Sequence, residues 1–209
     1  MADRLDMTAM FAMHDALRRE LHYLTRAAAD PRRMMSTTVG WELFKKSLHI
    51  HHTAEDDALW PALRATLSGR PDELALLDAM EAEHALIDPL IEAIDVAMSD
   101  PDTEPAVVGS LADELADALT AHLKHEENEA IPLIQATATP QQWAHFSQVH
   151  GQRIGPDAPR LLPWLLDEAT EETAATMLAS LPEAARAAYA DQWRPAYNAL
   201  DRWNPYTPV

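Results

Sequence analysis

The chain has 209 residues, of which 34 are acidic and 16 basic, giving a formal net charge of −18. This balance argues against a surface that binds phosphates or nucleic acid, and the lack of cysteine excludes disulfides, thiolate zinc sites and iron–sulfur clusters. No apolar run is long enough to span a bilayer, and no basic segment followed by an apolar run opens the chain. We therefore expect a cytoplasmic protein without a membrane partner.

The composition favours helices throughout, because glycine is rare and alanine, leucine and glutamate are abundant. Helix A is predicted from about Thr8 to Ala29, ending at Asp30-Pro31. An apolar stripe at helical spacing runs along it and consists of Phe11, His14, Leu17, Leu21 and Leu24. His14 therefore lies on the face that should be buried, whereas Glu20 falls outside the stripe.

Helix B is predicted to begin after Ser36 or Thr37 as the cap and to end near Leu67, before Ser68-Gly69. His51 and Glu55 stand on its apolar stripe in place of apolar residues. Pro61 lies inside the pattern, so a kink or an early end is expected there.

Helix C should begin at Pro71, with acidic residues in its first turn, and end before the turn at Asp100-Pro101. Its stripe includes three polar residues at core positions, namely Glu81, His84 and Asp88. Pro89 is expected to kink the helix just after them.

Helix D is predicted from about Pro105 to Gln135, with His122 and Glu126 at stripe positions. These two residues and Pro132 stand 71 positions after His51, Glu55 and Pro61 (122 − 51, 126 − 55 and 132 − 61). The repeated pattern is His-x-x-x-Glu followed six residues later by Pro. Residues four apart share one helix face, so each copy directs an imidazole and a carboxylate the same way.

The remaining chain differs in composition. We expect a short helix from Thr139-Pro140 to about Val149, then a Gly/Pro-rich connector from Gly151 to Pro163, then two further helices. These last helices are predicted near Asp167–Leu181 and Pro182–Trp203. Residues 1–137 would thus form a four-helix bundle, and residues 138–209 a helical extension that packs on it, covers the site or makes a dimer contact.

The buried faces of the four predicted helices carry a common polar set: His14, His51, Glu55, His84, His122 and Glu126. An ionised carboxylate costs several kcal/mol to bury unless it is paired or bound to metal. No lysine or arginine stands on the same stripes. A pair of metal ions would satisfy all six side chains, and imidazole with carboxylate suits iron, manganese or zinc.

Four pieces in the same order carry a resemblance: His14-Asp15-Ala16-Leu17-Arg18, His51-His52-Thr53-Ala54-Glu55-Asp56 with Pro61, Glu83-His84, and His122-Leu123-Lys124-His125-Glu126-Glu127 with Pro132. Over about residues 8–135 the chain resembles the hemerythrin family in its bacterial, HHE-type form. The tail, with Leu162-Pro163-Trp164-Leu165-Leu166, resembles the C-terminal part of actinobacterial hemerythrin-domain proteins.

The resemblance implies an all-α, up–down four-helix bundle that holds a non-haem, oxo-bridged di-iron centre, for which Zn or Mn could substitute. Glu55 and Glu126 would bridge the two metals, and the four histidines would be terminal ligands. Such centres bind O₂ reversibly or react with O₂, peroxide or NO.

The sequence departs from the oxygen carriers on helix C, where Asp88 stands in place of a second histidine. Asp88, Glu81 or His52 could complete the ligand set. His125 is a further candidate, because it forms His-x-x-x-Glu with Glu129 one register along helix D. As partners for the outer imidazole nitrogens, the nearest carboxylates in sequence are Asp15, Asp88 and Glu81.

Several functional classes stay open at this level. A carboxylate-richer ligand shell makes a di-iron oxidase or a peroxidase- or catalase-like enzyme an alternative to an oxygen carrier. An iron or oxygen sensor that signals through the C-terminal helices is another, and a metal-free structural bundle is the simplest. A ferritin-like oxidase would need Glu-x-x-His on two helices, and only Glu81/His84 fits. Both a monomer and a homodimer are compatible with the sequence.

Overall fold

The computed structural model describes residues 4–29 and 38–203, and within these ranges the chain is helical and contains no strand. The α-helices are α1 Thr8–Ala28, α2 Val39–Ala54, α3 Trp60–Thr66, α4 Pro71–Ser99, α5 Pro105–His125, α6 Ile131–Thr137, α7 Pro140–Ile154, α8 Ala158–Leu165, α9 Glu171–Ala179, α10 Glu183–Ala188 and α11 Arg194–Asn198. The predicted all-α fold with additional C-terminal helices is confirmed.

Four long helical segments form the bundle: α1, α2 continued by α3, α4, and α5 continued by α6. Short connections join α3 to α4 and α4 to α5, as expected for antiparallel neighbours. The predicted caps Ser36 and Thr37 lie outside the described residues. Thr38 caps α2 instead, and its hydroxyl accepts a hydrogen bond from the Trp41 N–H at 3.3 Å. α4 continues through Pro89.

Single π-helical turns interrupt two of the bundle segments at Glu55–Leu59 and Glu126–Ala130. Each π turn begins at the glutamate of a His-x-x-x-Glu motif and is followed two residues later by a proline, Pro61 or Pro132. In an α-helix, a proline ring collides with the carbonyl four residues earlier, and a wider π turn relieves this collision. The prolines therefore widen the helices where the two carboxylates enter the core.

The core of the bundle consists of two apolar clusters with a polar layer between them. One cluster includes Leu17, Phe44 and Leu119, and the other includes Trp60, Met80 and Ile134. Along each bundle segment, the buried histidine or glutamate stands between residues of the two clusters. The polar layer consists of His14, His51, His52, Glu55, His84, His122 and Glu126, all buried.

The extension packs against the first half of the bundle. Helix α7 contacts α2 and the following π turn, α8 contacts α1 and α2, and α9 contacts α1. The predicted connector Gly151–Pro163 is wrong: α7 runs to Ile154, a 3₁₀ turn covers Gly155–Asp157, and α8 follows. Gly155, whose φ is 41°, ends α7. A proline lies in the first turn of α8, where it is compatible with a helix.

The C-terminal end of the described chain is anchored on the start of α2. The backbone N–H of Gly40 donates to the Arg202 carbonyl at 2.8 Å. A Cβ atom at position 40 would overlap the Trp203 indole, so only glycine permits this approach. Trp203, Tyr197 and Trp164 share an apolar cluster with the bundle residues.

Glu20 was predicted to lie outside the apolar stripe of α1, but it is fully buried beneath the extension. Its carboxylate accepts from Arg19 at 2.9 Å, from Arg202 at 3.0 Å and from the Trp203 indole N–H at 2.8 Å. Phe11 shows the reverse: it was predicted on the stripe, but 43% of it is exposed. The buried face of α1 therefore includes Met10 and Met13 and leaves Phe11 at its edge.

Replacing Glu20 with alanine should lower the free energy of unfolding by about 3 kcal/mol, because it leaves two partly buried arginine donors and the buried Trp203 indole donor without their acceptor. Chemical denaturation in the presence of a chelator measures this without a contribution from metal. Asp15→Ala, which removes an exposed carboxylate of the same helix, should change stability by less than about 0.5 kcal/mol. Equal effects of the two substitutions would contradict this role of Glu20.

Candidate metal centre

The structure brings together the six side chains that the sequence singled out. His14, His51, Glu55, His84, His122 and Glu126 are all at most 3% exposed, and they meet in the polar layer. His52, named as a further candidate, is also 3% exposed and joins them. Each bundle segment contributes at least one member, so four segments surround one interior point.

Three of these side chains form a first cluster: His14, His51 and Glu126. Their potential ligand atoms lie within 4.8 Å of one another. The Nε2 atoms of His14 and His51 are 3.2 Å apart, and His14 Nε2 is 3.1 Å from Glu126 Oε2. Two nitrogen ligands at about 2.1 Å from one ion lie roughly 3.0–3.4 Å apart at angles of about 90–110°. The observed spacing fits a shared ion.

A second cluster consists of His52, His84 and His122, again with potential ligand atoms within 4.8 Å of one another. The Nε2 atoms of His84 and His122 are 3.2 Å apart. The His52 ring is stacked on that of His84, with centroids 3.9 Å apart. Neither nitrogen of His52 has a hydrogen-bond partner among the described residues, although both are buried.

The two glutamates connect these clusters. Glu126 Oε2 lies 3.1 Å from His14 Nε2 in the first cluster and 3.8 Å from His122 Nε2 in the second. Glu55 lies 3.5 Å from His51 Nδ1 and 3.6 Å from His84 Nε2. None of the four carboxylate oxygens has a hydrogen-bond partner in the described part of the chain. Each carboxylate therefore lies between residues of both clusters, and Glu55 approaches His51 at Nδ1, the nitrogen that does not face His14.

A ring of outer carboxylates orients three of the imidazoles. Glu127 lies 2.9 Å from His14 Nδ1, Asp56 lies 2.8 Å from His84 Nδ1, and Glu83 lies 2.9 Å from His122 Nδ1. Because an ionised carboxylate only accepts, each Nδ1 donates, and a neutral ring then has a lone pair at Nε2. Carboxylate–histidine pairs of this kind are typical of metal ligands.

In the second cluster, two imidazole nitrogens with lone pairs face each other. His84 and His122 both use Nδ1 as donors, so two nitrogen lone pairs face each other at 3.2 Å. The repulsion is removed only if a cation lies between them, either a proton or a metal ion. With the unpartnered oxygens of Glu55 and Glu126 nearby, the donor set fits metal cations.

The ionisation of the layer supports the same conclusion. Burial, together with the charge of Glu126, raises the pKa of Glu55 well above its usual value. Burial opposes protonation of His14, but Glu126 and Glu127 raise its pKa to about 9. Burial and the charge of His14 hold the pKa of His51 well below its usual value. In the absence of metal, burial and the neighbouring Glu126 thus disfavour the ionised form of Glu55, and a bound cation would favour it.

Two of the additional candidates do not belong to the layer. Asp88 is exposed, and Glu81 is half-buried and pairs with Arg64 at 2.8 Å. The buried residues of α4 are Leu77, Met80, His84, Ile87 and Ile94. The first four are separated by steps of three, four and three, and the last follows after seven, which is the spacing of the narrow seam of a helix bundle. The wider predicted stripe, which included positions 81 and 88, was wrong.

The other histidines do not belong to the polar layer. His125 is half-buried, and its Nδ1 is 2.7 Å from Glu83 Oε1, so Glu83 holds His122 and His125 together. His49 and His145 are exposed. His150, on α7, stands edge-on to the His51 ring with centroids 6.3 Å apart. Burial, with a smaller effect of Arg153, lowers the pKa of His150 to about 4.

The three outer carboxylates are not the residues predicted for that role, which were Asp15, Asp88 and Glu81. Asp15 is exposed and pairs with Arg18 on its own helix. Two of the carboxylates that contact imidazole Nδ1 atoms could have been predicted from the sequence repeat. Asp56 and Glu127 are also 71 positions apart (127 − 56), and each directly follows the motif glutamate. Glu83, next to His84, had no such repeat.

Comparison with known proteins agrees with this geometry. The profile described as "Hemerythrin HHE cation binding domain" matches residues 6–134. The chain belongs to the hemerythrin family. This match covers the bundle and its polar layer, so the layer lies in a cation-binding helical domain whose typical metal is iron.

One distant relative is a plant protein, the zinc finger protein BRUTUS-like of Arabidopsis thaliana. It is 22% identical over 208 residues, a match that covers 88% of this chain but 16% of the plant protein. The chain therefore spans about a sixth of that relative's length. No solved structure matches the chain. Among the described residues, no helix has the length and apolarity needed to cross a membrane.

The outer carboxylates provide a test of the centre. Glu83→Gln removes the charge that orients His122 and should weaken metal binding by about 10–100-fold, as measured by competition with a chromophoric chelator. Glu81→Gln, two residues earlier on the same helix, breaks only a partly exposed ion pair with Arg64 and should leave metal affinity unchanged. A similar loss in both variants would contradict the assignment of Glu83.

Proposed function

We propose that the chain is a non-haem di-iron protein that binds or reacts with O₂, or with peroxide or NO, inside the bundle. The observation that supports this most strongly is the pairing of the two clusters. Each contains three potential ligands, and each of the two glutamates reaches from one cluster to the other. Two carboxylates shared by two metal positions are typical of dinuclear sites in helix bundles.

We propose the following ligands for this centre: His14, His51 and Glu126 at one metal, His52, His84 and His122 at the other, with Glu55 and Glu126 as bridges. His52 would then supply a fifth imidazole. It would replace the second histidine of the oxygen carriers, whose position on α4 is occupied by Asp88. Its stacking on His84 and its two unpartnered nitrogens support this assignment. Nitrogen and carboxylate donors without thiolate favour iron, and they would also accept manganese or zinc.

Iron bound at this position would supply the one- and two-electron chemistry needed for O₂, peroxide or NO. The protein's own contribution is positional. Glu127, itself bound by two hydrogen bonds of 2.8 Å from Arg18, holds the His14 ring by its Nδ1. Apolar side chains on both sides of the layer keep bulk water out, and such exclusion strengthens the electrostatic interactions inside the site.

Reversible binding and turnover can be separated directly. Anaerobic Fe(II)-loaded protein exposed to O₂ should develop near-ultraviolet bands of an oxidised di-iron centre. If argon then restores the original spectrum and releases O₂, the protein is a carrier. If the bands persist and the protein consumes peroxide, it is an oxidase or peroxidase. A spectrum that does not respond to O₂, peroxide or NO would contradict the proposed function.

His52→Ala should reduce iron content from about two per chain to about one, because one metal position loses a ligand while the first cluster stays intact. His49→Ala is a matched control, since His49 is an exposed histidine three residues earlier on α2, and it should retain about two. Elemental analysis after gel filtration gives the numbers. Full iron content in His52→Ala would remove His52 from the ligand set.

A further inference from the structure

A chamber lies between the bundle and the extension, next to the first cluster. Its volume is about 350 Å³, and helices α1, α2, α7, α8 and α9 contribute to its wall. We call it the apolar chamber, and its principal apolar side chains are Met10, Met13, Ile50, Phe146, Leu161 and Met177. His51 forms part of the same wall, so the chamber reaches the polar layer.

The chemistry of the wall restricts what can bind. Apart from His51 and His150, no ionisable side chain is found among the described residues that line the chamber. A charged ligand would therefore be buried without a counter-charge, at a cost of several kcal/mol. The size falls within the range of about 300–1,000 Å³ that is usual for small-molecule sites. Three methionines, Met10, Met13 and Met177, give the wall an adaptable surface.

One polar group in the chamber has no partner. Ser47 lines the chamber and is 2% exposed, and its hydroxyl forms no hydrogen bond with any described residue. Ser47 is one helical turn before His51, so the two side chains share a face of α2. His150 stands edge-on to His51 on the opposite helix. Ser47, His51 and His150 thus form a group of polar side chains at the end of the chamber nearest the metal cluster.

The chamber also has a route to solvent. Ser147 and Gly151 of α7 are both exposed and both line it. Position 151 is helical, and a Cβ placed there has no atom within 4 Å. A small molecule could therefore enter beside α7 without displacement of a bundle helix.

We propose that the apolar chamber binds an uncharged, mainly apolar small molecule that carries one hydroxyl, carbonyl or amine group, with that group at the end of the chamber formed by Ser47, His51 and His150 and the apolar body against Phe146 and the methionines. The extension would then form a binding site beside the metal centre. Binding depends on the chamber alone. The further role of this molecule as a substrate of the centre rests on the proposed function.

The test uses the full chain, once treated with chelator and once loaded with Fe(II), and two fluorescent probes of similar shape. N-phenyl-1-naphthylamine is neutral, and 1-anilinonaphthalene-8-sulfonate is its anionic counterpart. The neutral probe should bind saturably at one site per chain in both preparations, and the anionic probe at least 10-fold more weakly, because its charge would be buried without a partner.

Gly151→Phe should weaken the neutral probe at least 10-fold by filling the entry with an aromatic ring. Gln152→Phe adds the same ring at the next, exposed position of α7, which does not line the chamber, and should bind as the unmodified chain does. Equal affinity for the two probes, or unchanged binding in Gly151→Phe, would overturn the proposal. Because the metal-free protein is measured as well, failure of the di-iron proposal leaves this result interpretable.

Discussion

Two buried carboxylates without a lysine or arginine beside them impose the main constraint on this structure. Glu55 and Glu126 are fully buried, and no basic side chain other than histidine is buried in the described part of the chain. Their charge must be compensated by protons or by metal, and the surrounding imidazoles present lone pairs to the same space. The rest of the bundle is arranged around this layer: apolar clusters enclose it on both sides, and the π turns that begin at the two glutamates widen the helices beside it.

The same constraint connects the site to its outer shell and to the extension. Glu127, Asp56 and Glu83 fix the direction of the imidazoles by their Nδ1 atoms, so the Nε2 atoms point inward. The extension is joined to the bundle through another buried carboxylate, Glu20. It thereby encloses an apolar space against His51, and the reactivity of a metal centre there would depend on what this space admits.

The sequence predicted the four bundle segments and the inward set of histidines and glutamates, because helical periodicity decides which face is buried. It placed Asp88 wrongly, since a stripe drawn from sequence cannot show how narrow the contact seam of α4 is. Glu20 was also misplaced, because the extension that buries it is distant in sequence. The outer carboxylates depend on how the helices are rotated against each other, and this rotation is a tertiary property that the spacing within one helix does not contain.

We propose that the polar layer holds two metal ions that share the glutamates. Native mass spectrometry of the protein loaded anaerobically with Fe(II) tests it most directly, because the mass of each intact chain reports how many ions it carries. We expect a main species with two iron ions, and we expect the Glu55→Gln variant to lose the pair. A folded protein that carries no iron, or that carries one ion equally well with and without Glu55, would contradict it.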